Sequence, residues 1–201
     1  MDKIKKQGNE AEKKVARILE NLGVEYYVFN NVLLKTGGGT TQIDHVVISP
    51  YGVFVIETKS HKGTIFGDCS GKYWTQCLYG KKGGNYTFYS PYLQNAGHLK
   101  NLYKLFNLNC SYFLGLIVFT SDSVNISGVQ CPNALTVGYL ASTIYSHRNV
   151  LLSSDMVMML VDKLKDANIQ SRYQDGKHTK YVKDLQSNKG VLKYERNGRK
   201  K

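Results

Sequence analysis

Apolar positions change their period along the chain, and those changes divide it into elements. From Asn9 to Leu22, the residues Ala11, Val15, Ile18, Leu19 and Leu22 recur at helical spacing, and Gly23 is placed to end the helix. Val24 to Leu34 then holds Tyr26, Tyr27, Val28, Phe29, Val32 and Leu33, the composition of a strand. Between Gln42 and Lys59, two runs of β-branched and aromatic residues flank Ser49-Pro50-Tyr51-Gly52, whose Pro and Gly predict a hairpin turn. Val46, Ile48, Val53 and Val55 form one face of this hairpin and Val47, Phe54 and Ile56 the other. Strands apolar on both faces belong at the centre of a covered sheet. Residues 60 to 89, rich in Gly, Lys, Tyr and Trp, predict short strands and turns in which Trp74 packs. Ser90-Pro91 opens a second helix, serine as N-cap and proline at the first helical position, running through Leu93, Ala96, Leu99, Leu102, Tyr103 and Phe106. Tyr112 to Thr120 reads as a buried strand, Leu135 to Val137 as a short one, and Gly138 to His147 and Ser154 to Ala167 as helices, the last capped by Ser153 or Ser154. The order of elements is that of an α/β protein.

Three ionisable groups sit inside the apolar hairpin. If Ser49 pairs with Gly52, Asp44 lies opposite Glu57, and strand alternation puts Lys59 on the same face. Two neighbouring carboxylates at a central strand position repel each other and are costly to bury, so they need a cation or a raised pKa. A divalent metal supplies the cation, and oxygen-only ligands favour Mg²⁺ or Mn²⁺ over zinc. A structural ion pair between Lys59 and one carboxylate is the simpler alternative.

Composition narrows the class. With 201 residues and 42% hydrophobic positions, the chain can build a real core. Its longest apolar run, Tyr112 to Phe119, falls far short of a membrane span, and Met1-Asp2-Lys3-Ile4-Lys5-Lys6 leads into no apolar signal core, so a cytoplasmic protein without a membrane partner is expected. Cys69, Cys77, Cys110 and Cys131 lack the spacing of a zinc site or a disulfide framework, which predicts free thiols. The net charge is +12, and residues 170 to 201 carry ten basic and three acidic groups. These residues read as a flexible basic tail following a domain of residues 1 to 169. Such a tail attracts polyanions, above all nucleic acid, although it would also serve solubility alone. No P-loop is present: Gly67-Asp68-Cys69-Ser70-Gly71-Lys72-Tyr73 has the wrong glycine gap and no hydroxyl after Lys72. The glycines Gly37, Gly38 and Gly39 suit a hairpin loop or a close approach to phosphate.

Asp44 followed by Glu57-Thr58-Lys59 on the next strand resembles the site of the PD-(D/E)xK nucleases. Gln42-Ile43-Asp44-His45-Val46-Val47, Gly52 to Lys59, Gly63-Thr64-Ile65-Phe66-Gly67 and Trp74 are similar to one branch of that superfamily, the nuclease-related domain. The resemblance runs from about Gly8 to Leu105. It implies a restriction-endonuclease-like αβββαβ core with a mixed sheet between helices, and a metal-dependent nuclease acting on nucleic acid, with DNA the expected substrate. Asp44, Glu57 and the carbonyl of Thr58 would bind Mg²⁺ or Mn²⁺, and Lys59 would act on the scissile phosphate. Gly8-Asn9-Glu10-Ala11-Glu12 is similar to the family's Gly-x-x-Gly-Glu and points Glu12 at the metal. Asn9 and Glu12 also have the spacing of a capping box. Ser90-Pro91-Tyr92-Leu93-Gln94-Asn95-Ala96-Gly97-His98 resembles the family's Asn-Pro-x-x-Gln-Asn-x-x-His, with serine replacing the first asparagine. Gln94 would then position phosphate, with His98 on the same helix face. The rival reading is a nucleic-acid-binding module that keeps this fold without turnover.

Overall fold

The computed structural model of the chain describes residues 3–80 and 83–169. A first helix, α1 (Lys3–Glu20), precedes three antiparallel strands, β1 (Tyr27–Thr36), β2 (Gly39–Ser49) and β3 (Gly52–Lys59). Three shorter strands follow, β4 (Gly63–Asp68), β5 (Tyr73–Leu78) and β6 (Gly84–Tyr89), before helix α2 (Pro91–Phe106). Strands β7 (Phe113–Phe119), β8 (Val124–Gln130) and β9 (Ala134–Thr136) and helices α3 (Leu140–Ser146) and α4 (Ser154–Ala167) complete the described fold.

The main sheet has the order β1-β2-β3-β7-β9, antiparallel through β3 and parallel from β3 onward. This is the mixed sheet expected of the α/β core. Val46, Ile48, Val53 and Val55 pack with Leu102 and Phe106 of α2 and Leu160 and Leu164 of α4. On the opposite face, Val47, Phe54 and Ile56 meet Val15 and Leu19 of α1 and Leu140 and Ile144 of α3. Helices therefore cover both faces of β3, which is why all its residues but Lys59 are buried. Pairing runs from Ser49↔Gly52 to His45↔Ile56, the register that the Pro-Tyr turn implies. Gly52 has φ +128°, and a Cβ there would lie 2.9 Å from the carbonyl oxygen of Tyr112. Glycine is thus required at the turn that sets this register.

Several boundaries differ from expectation. Helix α1 begins six residues before Asn9, within a run of Lys and Gln that favours helix, so Asn9 lies inside it. The capping box of Asn9 and Glu12 is therefore overturned. Strand β1 starts at Tyr27 because Val24 is exposed and a turn bonds the amide of Tyr26 to the carbonyl of Gly23. Helix α3 is shorter than 138–147 because Val137–Tyr139 forms a 3₁₀ turn. Helix α4 matches its expected range, and the Ser153 hydroxyl accepts the Met156 amide. The Ser90 hydroxyl likewise accepts from Leu93 at the start of α2.

A second sheet, β6-β5-β4-β8, packs Ile65 and Trp74 against Ile117 and Phe119. Trp74 is fully buried and stacked on Phe119, and its indole N–H donates to the Asp68 carbonyl. Strand β8 has no strong apolar alternation and was not expected; pairing parallel to β4 holds it in place. The expectation of four free thiols is also corrected. Cys69 and Cys131 form a disulfide across 62 residues of sequence, and Cys77 and Cys110 are free. Sequence spacing gave no sign of the bridge because β4 and the loop before β9 meet only in the folded chain. The expected basic tail, residues 170–201, lies outside the described residues. Among the described residues no helix is long and apolar enough to cross a membrane.

Candidate active site

Asp44 stands where the β1–β2 ladder is interrupted. Pairing runs to Asn30↔His45 and resumes at Val32↔Ile43, leaving Asn31 and Asp44 outside it, with Asn31 at φ 55°. Val46 and Ile43 lie in the same core although they are three positions apart, an odd step that alternation would send to opposite faces, so β2 rolls over at Asp44–His45. The roll frees the Asp44 carboxylate to accept the backbone amide of Thr58 at 2.8 Å, where a ladder bond would otherwise continue. Burial, and then the charge of Glu57, push the Asp44 carboxyl up to about 7, against the opposing pull of the Thr58 amide.

Glu57 is 1% exposed. Its Oε1 is ion-paired to Lys59, and Lys59 also donates to Gln94 Oε1 at 3.1 Å. Its Oε2 lies 3.3 Å from His98 Nε2, but the two are not aligned for a hydrogen bond, so each is a buried polar atom without one. The far side of the imidazole is held by Thr41, whose hydroxyl is 2.9 Å from His98 Nδ1. A buried carboxylate oxygen without a hydrogen bond is costly. It is the feature a divalent cation between Glu57 and Asp44 would relieve, and the two carboxylates are the donor type such an ion takes.

Gln94 and His98 reach this place because α2 buries the stripe Pro91, Asn95, His98, Leu102 and Phe106 against the sheet. Asn95 Nδ2 donates to the carbonyls of Val55 on β3 and Leu116 on β7, at 3.0 and 3.1 Å. Gly115 makes the close approach possible, since a Cβ there would lie 2.8 Å from Leu99 Cδ1 and 3.2 Å from Asn95 Nδ2.

Glu12 is half-buried on α1, and its carboxyl is raised by burial and by the charge of Glu57, with Lys59 opposing. It acts on the cluster through space. Thr58 lies between Glu57 and Lys59 on β3, with its hydroxyl buried and unpartnered. Gly37 to Gly39 close the β1–β2 hairpin, pairing Thr36 with Gly39.

The residue pattern pointed to Asp44, Glu57, Lys59, Glu12 and Gln94 but gave no role to Thr41, Asn95 or His45. The pattern also places His98 beside Gln94, and Asn95 carries the same signal, a polar residue spaced on the apolar stripe of α2. His45 is fully buried, its Nδ1–H donating to Asn30 Oδ1 at 2.7 Å, and burial pulls its pKa down to about 4.

A mixed sheet between helices, with two carboxylates and a lysine gathered on its central strands, defines a nuclease-like protein of the PD-(D/E)xK superfamily. Residues 7–120 match the nuclease-related domain, and the chain belongs to that family. It is 35% identical to an uncharacterized protein of Bacillus anthracis over 184 residues, covering 88% of this chain and 84% of that relative. No solved structure matches it.

Proposed function

We propose that this protein is a Mg²⁺- or Mn²⁺-dependent phosphodiesterase that hydrolyses nucleic acid, with DNA the expected substrate. The observation that carries the reading is Glu57: buried, with one oxygen lacking a hydrogen bond, beside an Asp44 whose charge it disfavours. Asp44, Glu57 and the Thr58 carbonyl would hold the ion, which supplies charge neutralisation and a bound water of lowered pKa. Lys59 sits half-buried at the end of β3, where its ammonium can balance charge developing on a phosphate. Gln94 orients the Lys59 ammonium, and His98, braced by Thr41, limits the freedom of Glu57. Glu12 adds negative potential from α1 and is the candidate for ordering water.

One observation favours the rival reading of a binding module without turnover. Lys59 already pairs with Glu57, and no group of three His, Cys, Asp or Glu spaced for a metal is found among the described residues. A metal titration read by thermal melting separates the two. On the nuclease reading, Mn²⁺ or Mg²⁺ raises the melting temperature in step with ion concentration, and Asp44→Asn shrinks the rise. Equal shifts in wild type and Asp44→Asn would remove the metal site.

A further inference from the structure

The four-stranded sheet turns Ile65, Trp74 and Phe88 inward. Alternation sends Phe66, Tyr73, Thr75, Thr87 and Tyr89 to the other side, where Tyr73 pairs with Tyr89 and Thr75 with both Thr87 and Phe66. Phe66, Tyr73 and Tyr89 are 46, 59 and 48% exposed. Three large rings on one open sheet face are more than scattered surface residues, and such a patch marks an interaction site.

The chemistry of the patch selects its occupant. Between the rings stand threonines rather than Leu, Ile or Val, so the patch offers ring faces with little aliphatic surface around them. Tyr73 and Tyr89 meet edge to face at 6.4 Å, and the Lys72 ammonium lies 5.5 Å from the Tyr73 ring centre. Across β4, β5, β6 and β8 the one acidic residue is Asp68, and its carboxylate is turned into its own loop, accepting the amides of Ser70 and Gly71 at 2.8 and 2.7 Å. An anionic chain with flat, stackable groups therefore meets aromatic faces and a cation and little repulsion. The chain enters β4 from Lys59 and leaves β6 toward the candidate site. Strand β4 follows Lys59 after three residues, and Tyr89 immediately precedes Ser90 at the start of the helix that carries Gln94.

We propose that this face binds unpaired bases of a single-stranded nucleic acid by stacking on Tyr73, Tyr89 and Phe66. The inference rests on the nucleic-acid partner proposed above and deepens it: the substrate carries an unpaired segment that the sheet holds beside Lys59.

The test is a titration of the full chain in EDTA with a fluorescein-labelled oligothymidylate and, separately, with a labelled duplex of the same length at the same salt. The variants are Tyr73→Leu/Tyr89→Leu, which keeps bulk and removes the rings, and Tyr73→Phe/Tyr89→Phe, which keeps them. Wild type binds the single strand more tightly than the duplex. The Leu pair loses about tenfold or more of single-strand affinity, while the Phe pair stays within roughly threefold of wild type. Should the Leu pair not melt cooperatively, Tyr73→Leu alone is judged by the same criteria. Wild-type single-strand affinity in the Leu variant overturns the proposal, as does an equal loss on both substrates. A wild-type dimer that the Leu variant abolishes without changing oligonucleotide affinity also overturns it, assigning the face to a second copy of the chain. Because EDTA removes cleavage from the readout, a protein that stacks single strands but cuts nothing with metal would sink the nuclease reading and leave this one standing.

Discussion

Asp44 and His45, adjacent on β2, have opposite acid–base demands. Asp44 takes a proton more readily in the fold than in the unfolded chain, about 7 against 3.8. Its contribution to stability is therefore present at low pH and lost as pH rises through about 7. His45 and His61, the latter between β3 and β4 with its ring stacked on Phe88, are both pulled from 6.5 to about 4, by burial first, so their contribution is lost as pH falls from 6.5 toward 4. These trends cancel in part in wild type, and a variant separates them. Without divalent metal, Asp44→Asn should be more stable than wild type at pH 8 by about 2–4 kcal/mol. The gap should narrow as pH falls below about 7 and close only below 3.8, where the unfolded carboxyl is protonated too. Melting curves between pH 5 and 8 read this directly, and a gap independent of pH would remove the burial of an unfavourable charge from the account. The nearness of Asp44 and Glu57 was legible in the sequence because the Pro-Tyr turn sets the Ser49↔Gly52 register, but the ladder stops at His45↔Ile56, one pair short of the direct Asp44–Glu57 pairing expected. The roll at Asp44 was not, because it depends on Asn31 adopting a positive φ on the neighbouring strand.

At the scale of elements, the site is the meeting of the middle of β2 and the end of β3 with α2. Asn95 fastens α2 to the sheet, through two buried bonds to the adjacent strands β3 and β7. Asn95→Leu should cost about 1–3 kcal/mol in chemical denaturation, since both donors vanish and a bulkier side chain faces Gly115. Unchanged stability would mean that α2 is seated by its apolar residues alone. The helices and central strands were readable from periodicity, because burial on one or both faces imposes it. Strand β8 and the Cys69–Cys131 bridge were not readable, since both arise from contacts between segments distant in sequence. Thiol titration under denaturing conditions without reductant should find two reactive groups, Cys77 and Cys110, and four after reduction. Reduction should lower stability by about 2–4 kcal/mol. Four reactive thiols in the untreated protein would contradict the bridge.

For the molecule as a whole, a positively charged chain carries a nuclease-family fold in which a buried glutamate, an aspartate with a raised pKa and a lysine converge. Net charge of +12 favours association with nucleic acid but says nothing of chemistry. Removing the chemistry without removing the charge pattern is the sharper approach, and Glu57→Gln changes a carboxylate to its near-isostere at the position where metal would bind. The decisive measurement is cleavage of end-labelled DNA, single-stranded and duplex, by wild type and Glu57→Gln, each with Mn²⁺ or Mg²⁺ and with EDTA. The account predicts cutting by wild type that EDTA abolishes and that Glu57→Gln reduces by at least about 100-fold, with folding retained as judged by melting. Cutting that survives in EDTA, or that Glu57→Gln leaves at the wild-type rate, would contradict it.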